Sequence, residues 1–306
     1  MDTPWGEMEV SDAHVHLFSR PFFQALAGGA SPDSLAAGLG WEIPPEDSTE
    51  LAGRWVEELD RHGLKRSALI ASKPGDEESV ADAVRAYPHR LIGYFMLDPT
   101  AADAARRARR AVEQLDLRGI CLFPAMHKFS VQDDRLRPIL ELAAERAGIV
   151  VFVHMGVLSV GVRKKLGLPS PFDMRYSNPI DLHRVALEFP RVNFVIPHFG
   201  AGYFRETLML GDLCPNVHVD TSSSNSWIRY TPGLRGLAEV FERALEVFGP
   251  RRILFGSDSS YFPRGWNTEI LQKQAPILQA LGCPAEGAAA ILGGNLERLC
   301  RTGVLS

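Results

Sequence analysis

The sequence predicts an α/β protein built as a single-domain (β/α)8 barrel. Short runs rich in Val, Ile, Leu and Phe recur between longer segments of helical periodicity, the pattern of a parallel sheet buried on both faces. Eight such runs are present, the number that closes a barrel with one helix after each strand. The 306 residues contain no Gly/Ser tract, charge block or low-complexity segment of the kind that marks a linker, so residues 1–306 read as one domain.

The elements follow in order. The first strand, 9–17, carries His14-Val15-His16 at its C-terminal end and is followed by a long connection, 18–47, before a helix at 48–63. Strands at 67–71, 91–97 and 119–123 alternate with helices at 76–87, 101–115 and 134–147. The fifth strand, 149–154, ends in His154 and leads into a second long connection, about 155–178, then a helix at 179–189. Strands at 192–197, 217–220 and 252–256, with helices at 200–211 and 233–248, complete the pattern. A doubly wound sheet is the alternative, but the loop after the first strand lacks the Gly-rich phosphate fingerprint such folds often carry. Long loops in compact domains are usually functional or disordered, and in a barrel the loops after strands one and five cover the C-terminal mouth, where active sites lie.

Composition narrows the partner. A formal charge of −4 gives no electrostatic footprint for nucleic acid or an anionic membrane, which leaves a diffusible small molecule. Residues Met1 to Glu7 have no basic or apolar leader pattern, and no apolar run approaches the roughly 18 residues of a membrane span. Cys121, Cys214, Cys283 and Cys300 show no Cys-x-x-Cys spacing, so neither a disulfide framework nor a thiolate zinc site is expected. Reduced thiols fit a soluble, cytoplasmic protein.

In a strand, residues two apart point to the same side, so His14 and His16 are expected to project together. His154, His198 and Asp258 follow the fifth, sixth and eighth apolar runs, which brings five metal-binding groups to one mouth. Imidazoles with a carboxylate form a borderline-soft set that suits one Zn²⁺, while Mn²⁺, Fe²⁺ and Co²⁺ also fit. An open position on such an ion acidifies water toward a pKa of about 7. Asp12 is expected to share the facing of His14 and His16, where it either supports a ligand by a hydrogen bond or is simply buried in the structure.

The remaining candidates concern substrate. His127 lies in the loop after the fourth strand, and Arg163, Lys164, Lys165 and Arg175 follow the fifth. Arg264, close behind Asp258, offers a fork suited to a carboxylate, which favours an anionic substrate. Trp227, Tyr230, Tyr261 and Phe262 add aromatic surface for an apolar body. His62, His89 and His183 read as solvated side chains, and His218 as a buried, hydrogen-bonded one.

Asp-x-His-x-His on the first strand, His on the fifth and sixth, Gly-Ser-Asp on the eighth, and the ending Ile291-Leu292-Gly293-Gly294-Asn295-Leu296-Glu297-Arg298-Leu299 resemble the amidohydrolase superfamily of TIM-barrel enzymes. The branch that includes aminocarboxymuconate-semialdehyde decarboxylase is the nearest. The resemblance runs from Asp12 to Leu299. It implies metal ligation by His14, His16, His154 and Asp258, with His198 as an acid/base or substrate-polarising residue close to the metal; in a hydrolase either Asp258 or His198 would take the proton. Where two-metal members place a bridging lysine on the fourth strand, this chain has Cys121, which argues for one metal; a buried strand residue is the first reading of this thiol, and a thiolate ligand to a second ion is the alternative. Asn295 is expected to cap the last helix. Barrels of this type often form homodimers, but no residue pattern here specifies one.

Two chemistries fit these ligands. In a hydrolase, activated water attacks a carboxylate-bearing ester, lactone or amide; in a non-oxidative decarboxylase, an acid protonates the carbon that loses CO₂. A barrel that binds metal without turnover is the third alternative, against which an ionisable His198 speaks, since structural zinc sites are closed by their ligands.

Overall fold

A computed structural model describes residues 1–301. One all-parallel sheet runs in chain order through Val10–Leu17 (β1), Leu64–Ala71 (β2), Leu91–Leu97 (β3), Gly119–Leu122 (β4), Val150–Val153 (β5), Asn193–Ile196 (β6), Val217–Asp220 (β7) and Ile253–Leu254 (β8). Its two edges meet. Ala13 N donates to Phe255 O at 2.9 Å, His16 N to Ser259 O at 2.7 Å, and Asp258 N to His14 O at 2.9 Å, closing β1 onto the chain after β8. The expected barrel is the fold observed.

Alternation along the strands separates two cores. Ile70, Ile92, Tyr94, Cys121, Phe152, Val195 and Leu254 fill the barrel interior, while Leu69, Phe95, Ile120, Val151 and Phe194 face the helices. Gly119 is required by this packing, because a Cβ there would lie 2.1 Å from the Tyr94 ring. Helix Ser48–His62 shows how the outer layer forms: Asp47 caps it by accepting from Thr49 N at 2.8 Å, Leu51, Trp55 and Leu59 recur every fourth residue on its buried face, and Gly63 ends it in the left-handed region.

The differences from expectation have local causes. Strand β2 starts at Leu64 rather than 67 because the solvent-facing Lys65 and Arg66 mask its first residues. Strand β8 is short because Phe255 N leaves the ladder to donate to Ile291 O at 2.8 Å. Helix Thr268–Ala280 after β8 escaped the sequence reading; it carries Pro276 in its interior. The long loops are partly helical: Arg20–Ala27 and Pro32–Leu39 follow β1, each capped by a serine with proline in its first turn, and Gly161–Lys165 follows β5. Asn295 does not cap the last helix; its Nδ2 donates to Pro250 O at 2.8 Å and Ile253 O at 2.7 Å, tying that helix to β8.

Strand β1 departs from simple alternation. Asp12 pairs with Ser67 and Val15 with Leu69, so three steps of β1 oppose two of β2. This bulge turns both Ala13 and His14 inward. Asp12 faces outward instead and accepts from Trp266 Nε1 at 2.7 Å, which corrects the expected shared facing with His14 and His16. None of the helices among the described residues is long and apolar enough to cross a membrane.

Candidate metal centre

A cavity of about 370 Å³ opens at the C-terminal mouth, and His14, His16, His154, His198 and Asp258 all line it. His14 Nε2 and His16 Nε2 lie 3.2 Å apart, and Asp258 Oδ1 is 3.3 Å from the second and 3.7 Å from the first. A tetrahedral ion with bonds of about 2.1 Å has ligand-to-ligand edges of roughly 3.4 Å, so the three atoms have the right separation for one divalent ion.

Proton positions strengthen the fit. Asp220 Oδ2 accepts from His14 Nδ1 at 2.9 Å, which leaves Nε2 bare in the neutral ring. Burial opposes charge on this imidazole, but Asp220, Asp258 and Asp12 outweigh it and raise the His14 pKa, so a cation at Nε2, proton or metal, is favoured. His16 Nδ1 donates to Ser72 Oγ at 2.7 Å, since the Ser72 hydroxyl hydrogen is committed to Ile70 O at 3.0 Å. His16 Nε2 is therefore bare as well. Two imidazole lone pairs pointed at each other across 3.2 Å repel unless a cation lies between them. Burial pulls the His16 pKa down, with Asp258 opposing and His14 and His198 reinforcing. Burial would raise the Asp258 carboxyl, but His16 and His14 outweigh it and hold the group ionised.

His154 and His198 flank this cluster. His154 stacks on Phe123 at 5.5 Å between ring centres, and its ring lies 5.2 Å from that of His198. Its Nδ1 is buried with no hydrogen-bond partner among the described residues, and burial together with His198 and His14 pulls its pKa down to about 3. It is a neutral imidazole with an unused donor atom, outside the tight group formed by His14, His16 and Asp258.

Three supporting side chains escaped the sequence reading. Asp220 Oδ1 accepts from His198 N at 3.0 Å while its other oxygen holds His14. The Ser222 hydroxyl donates to Asp220 and lies 2.9 Å from His14 Nδ1 and 2.8 Å from His198 Nδ1. Ser72 holds His16. Burial alone would raise the Asp220 carboxyl, but His14, His198 and Ser222 bring it down to about 2. The signal available for Asp220 was its position at the C-terminal end of β7, equivalent to that of the histidines on β5 and β6.

Asp12 supports the backbone rather than an imidazole ring: its Oδ1 accepts from His14 N at 2.9 Å and Ser257 N at 3.1 Å. Cys121 is fully buried in the barrel interior, where burial pushes its thiol pKa well up and disfavours the thiolate a metal requires.

Of the expected substrate contacts, Arg264 and Tyr261 line the cavity. His127 does not, because the short helix Pro124–His127 directs Met126 to the cavity instead. Arg163 turns away and donates to Pro169 O at 3.1 Å, leaving Lys165 as the cation of that segment on the cavity. Trp227 is a core residue; its Nε1 donates to Asn225 Oδ1 at 3.0 Å and its ring packs on Phe204. His218 is buried as expected, but its Nδ1 has no partner among the described residues.

Residues 11–301 match the protein-family model described as Amidohydrolase. No curated protein sequence matches the chain. Among solved structures the chain is similar to 5-carboxyvanillate decarboxylase from Sphingomonas paucimobilis, at 17% identity over 97% of this chain and 100% of that one, with a TM-score of 0.66. It is similar to a probable 2-pyrone-4,6-dicarboxylic acid hydrolase from Acinetobacter baumannii with citric acid bound, at 15% identity over 95% and 99% of the two chains and a TM-score of 0.60. A zinc-bound amidohydrolase from Burkholderia multivorans matches at 18% identity over 95% of this chain and 98% of that one, with a TM-score of 0.59. At such identities the likeness is one of fold.

Proposed function

The chain belongs to the amidohydrolase family, and from that premise we propose a metal-dependent hydrolase that cleaves a small, carboxylate-bearing ester, lactone or amide. One divalent ion, zinc first among those the ligands suit, would be held by His14, His16 and Asp258, with His154 completing the set. The observation that carries this reading is the pair of bare Nε2 atoms 3.2 Å apart beside the Asp258 carboxylate. A bound divalent ion supplies Lewis acidity, polarising a carbonyl and lowering the pKa of water.

The chain's own residues supply the rest. His198 Nδ1 donates to Ser222, through its hydroxyl at 2.8 Å or its carbonyl at 3.2 Å, which leaves Nε2 as a proton acceptor. That atom takes the proton released as water adds to the carbonyl, then returns it to the leaving oxygen or nitrogen. Phe18, Phe22, Trp41 and Phe123 give the cavity apolar walls that limit water around the reacting groups. The four cysteines are free and buried, which supports a cytoplasmic setting.

Non-oxidative decarboxylation is the second reading, favoured by aromatic walls that suit an arene. It requires an anion held among the imidazoles, whereas Lys165 and Arg264, the free cations lining the cavity among the described residues, are on exposed side chains. A screen of lactones, esters, amides and aromatic or enoic acids, with proton release and CO₂ followed together, separates the two. Proton release without CO₂ supports hydrolysis; CO₂ evolution overturns it.

A further inference from the structure

The outer part of the cavity is built from three separate loops. Trp41, from the segment after β1, stacks on Tyr261, from the segment after β8, with ring centres 4.3 Å apart and planes inclined by 18°. Lys165, from the short helix after β5, places its Nζ 5.7 Å from the Trp41 ring and 5.6 Å from the Tyr261 ring. The Arg264 guanidinium carbon lies 4.5 Å over Tyr261. One aromatic pair thus holds both cations, and ring contacts of this kind attract and order flexible cationic side chains.

Neither cation has an ion-pair partner among the described residues. Among the described residues no salt bridge involves Lys165 or Arg264, although many of the chain's other arginines are paired with carboxylates. Arg264 Nη2 is 3.3 Å from Asp258 O and 3.3 Å from Ser260 Oγ, both neutral acceptors. Among the described residues Asp258 is the only carboxylate lining the cavity, and it faces His14 and His16. Two unpaired positive charges beside low-dielectric aromatic surface repel each other and strengthen the attraction for an incoming anion.

We propose that Lys165 and Arg264 form a carboxylate subsite at the cavity mouth, so that the substrate carries its carboxylate on the end remote from the bond that is broken. This rests on the hydrolase reading and sharpens it: the anion is anchored on the Trp41–Tyr261 pair while the electrophilic carbonyl is presented to His14, His16 and His198. A substrate whose only carboxylate is at the reacting centre leaves both cations unused.

The test is binding, kept separate from turnover. Calorimetry on zinc-loaded protein compares 4-acetamidobenzoate with its neutral analogue 4-acetamidobenzamide, which differ only at the group remote from the acetamide carbonyl. The wild type is expected to bind the carboxylate at least tenfold more tightly. Lys165→Gln and Arg264→Gln are each expected to cut that preference by about tenfold, the effect of one charge-assisted hydrogen bond. Lys164→Gln, on the exposed neighbouring side chain, is expected to leave it unchanged. Absence of the preference in the wild type, or its survival in the Lys165→Gln/Arg264→Gln double variant, overturns the subsite. A preference that behaves as expected in a protein that hydrolyses no ester, lactone or amide keeps the subsite and overturns only the hydrolase reading.

Discussion

His14 Nε2 and His16 Nε2 face each other across 3.2 Å, each deprived of a proton by a hydrogen bond at its own Nδ1. The arrangement is costly without a cation and favourable with one. Purified protein is therefore expected to contain close to one equivalent of a divalent transition metal by elemental analysis, and the His14→Ala/His16→Ala double variant to contain none. Retained metal in that variant would sink the assignment. Two equivalents would contradict the neutral thiol at Cys121, whose burial pushes its pKa well up.

Asp220 joins the two halves of the site, accepting from the His14 ring through one oxygen and from the His198 backbone through the other. Residues that orient a metal-bound imidazole typically matter by about 10–100-fold in affinity. Asp220→Asn is expected to weaken zinc binding by that amount in a chelator competition. His198→Ala is expected to keep the metal and lose turnover by roughly 10², the contribution of a positioned acid/base. Unchanged zinc affinity in the first variant, or full activity in the second, would remove the corresponding role.

The barrel was legible because its strands, buried on both faces, read as short apolar runs, and because the histidines and Asp258 stand where those runs end. What remained hidden depends on geometry finer than strand periodicity. The bulge in β1 reverses the facing of Asp12 with nothing in the local sequence to announce it. Ser72 and Ser222 are common loop residues whose roles appear only when β2 and β7 come beside the histidines. Lys165 and Arg163 exchanged places because the short helix Gly161–Lys165 points residues two apart in different directions. Trp227 was expected at the mouth for its chemistry, but aromatic chemistry serves the core equally well.

The loop after β1 is tied down at Asp76, whose buried carboxyl accepts from the hydroxyls of Ser19 and Ser79, while Ser19 also caps helix Arg20–Ala27. Burial raises the Asp76 pKa, and the two serines and Lys73 only partly offset it. The folded protein thus keeps this proton to higher pH than the unfolded chain does. The associated stability is fully present below the ordinary carboxylate pKa and is lost as pH rises through the folded value. Asp76→Asn fixes the neutral form, so its melting temperature relative to wild type is expected to rise as pH goes from 4 toward neutrality. A pH-independent difference would show that Asp76 ionises normally in the folded state.

The turn that presents His198 is strained, with φ of 55° at His198, 52° at Phe199 and 42° at Ala201, all in the left-handed region that non-glycine residues rarely occupy. It is held by contact with the segment after β5: Val157 N donates to Ala201 O at 2.8 Å, and Gly156, itself at φ +88°, lies so close that a Cβ there would be 2.1 Å from Gly200 O. Backbone atoms cannot swing aside as a flexible side chain can, so Gly156→Ala must displace the turn or the strand end beneath it. His14, His16 and Asp258, the tightly grouped ligands, belong to β1 and the segment after β8 and are not part of this contact; His154, two residues before Gly156, is the one proposed ligand the change can reach. The variant is expected to retain its metal while turnover falls by tenfold or more, because a small misplacement of a proton-transfer group costs rate steeply. Elemental analysis and steady-state kinetics on the same preparation check both halves. Loss of metal together with activity would mean that the turn supports the ligand cluster as a whole, and full activity would mean that the His198 position tolerates the shift.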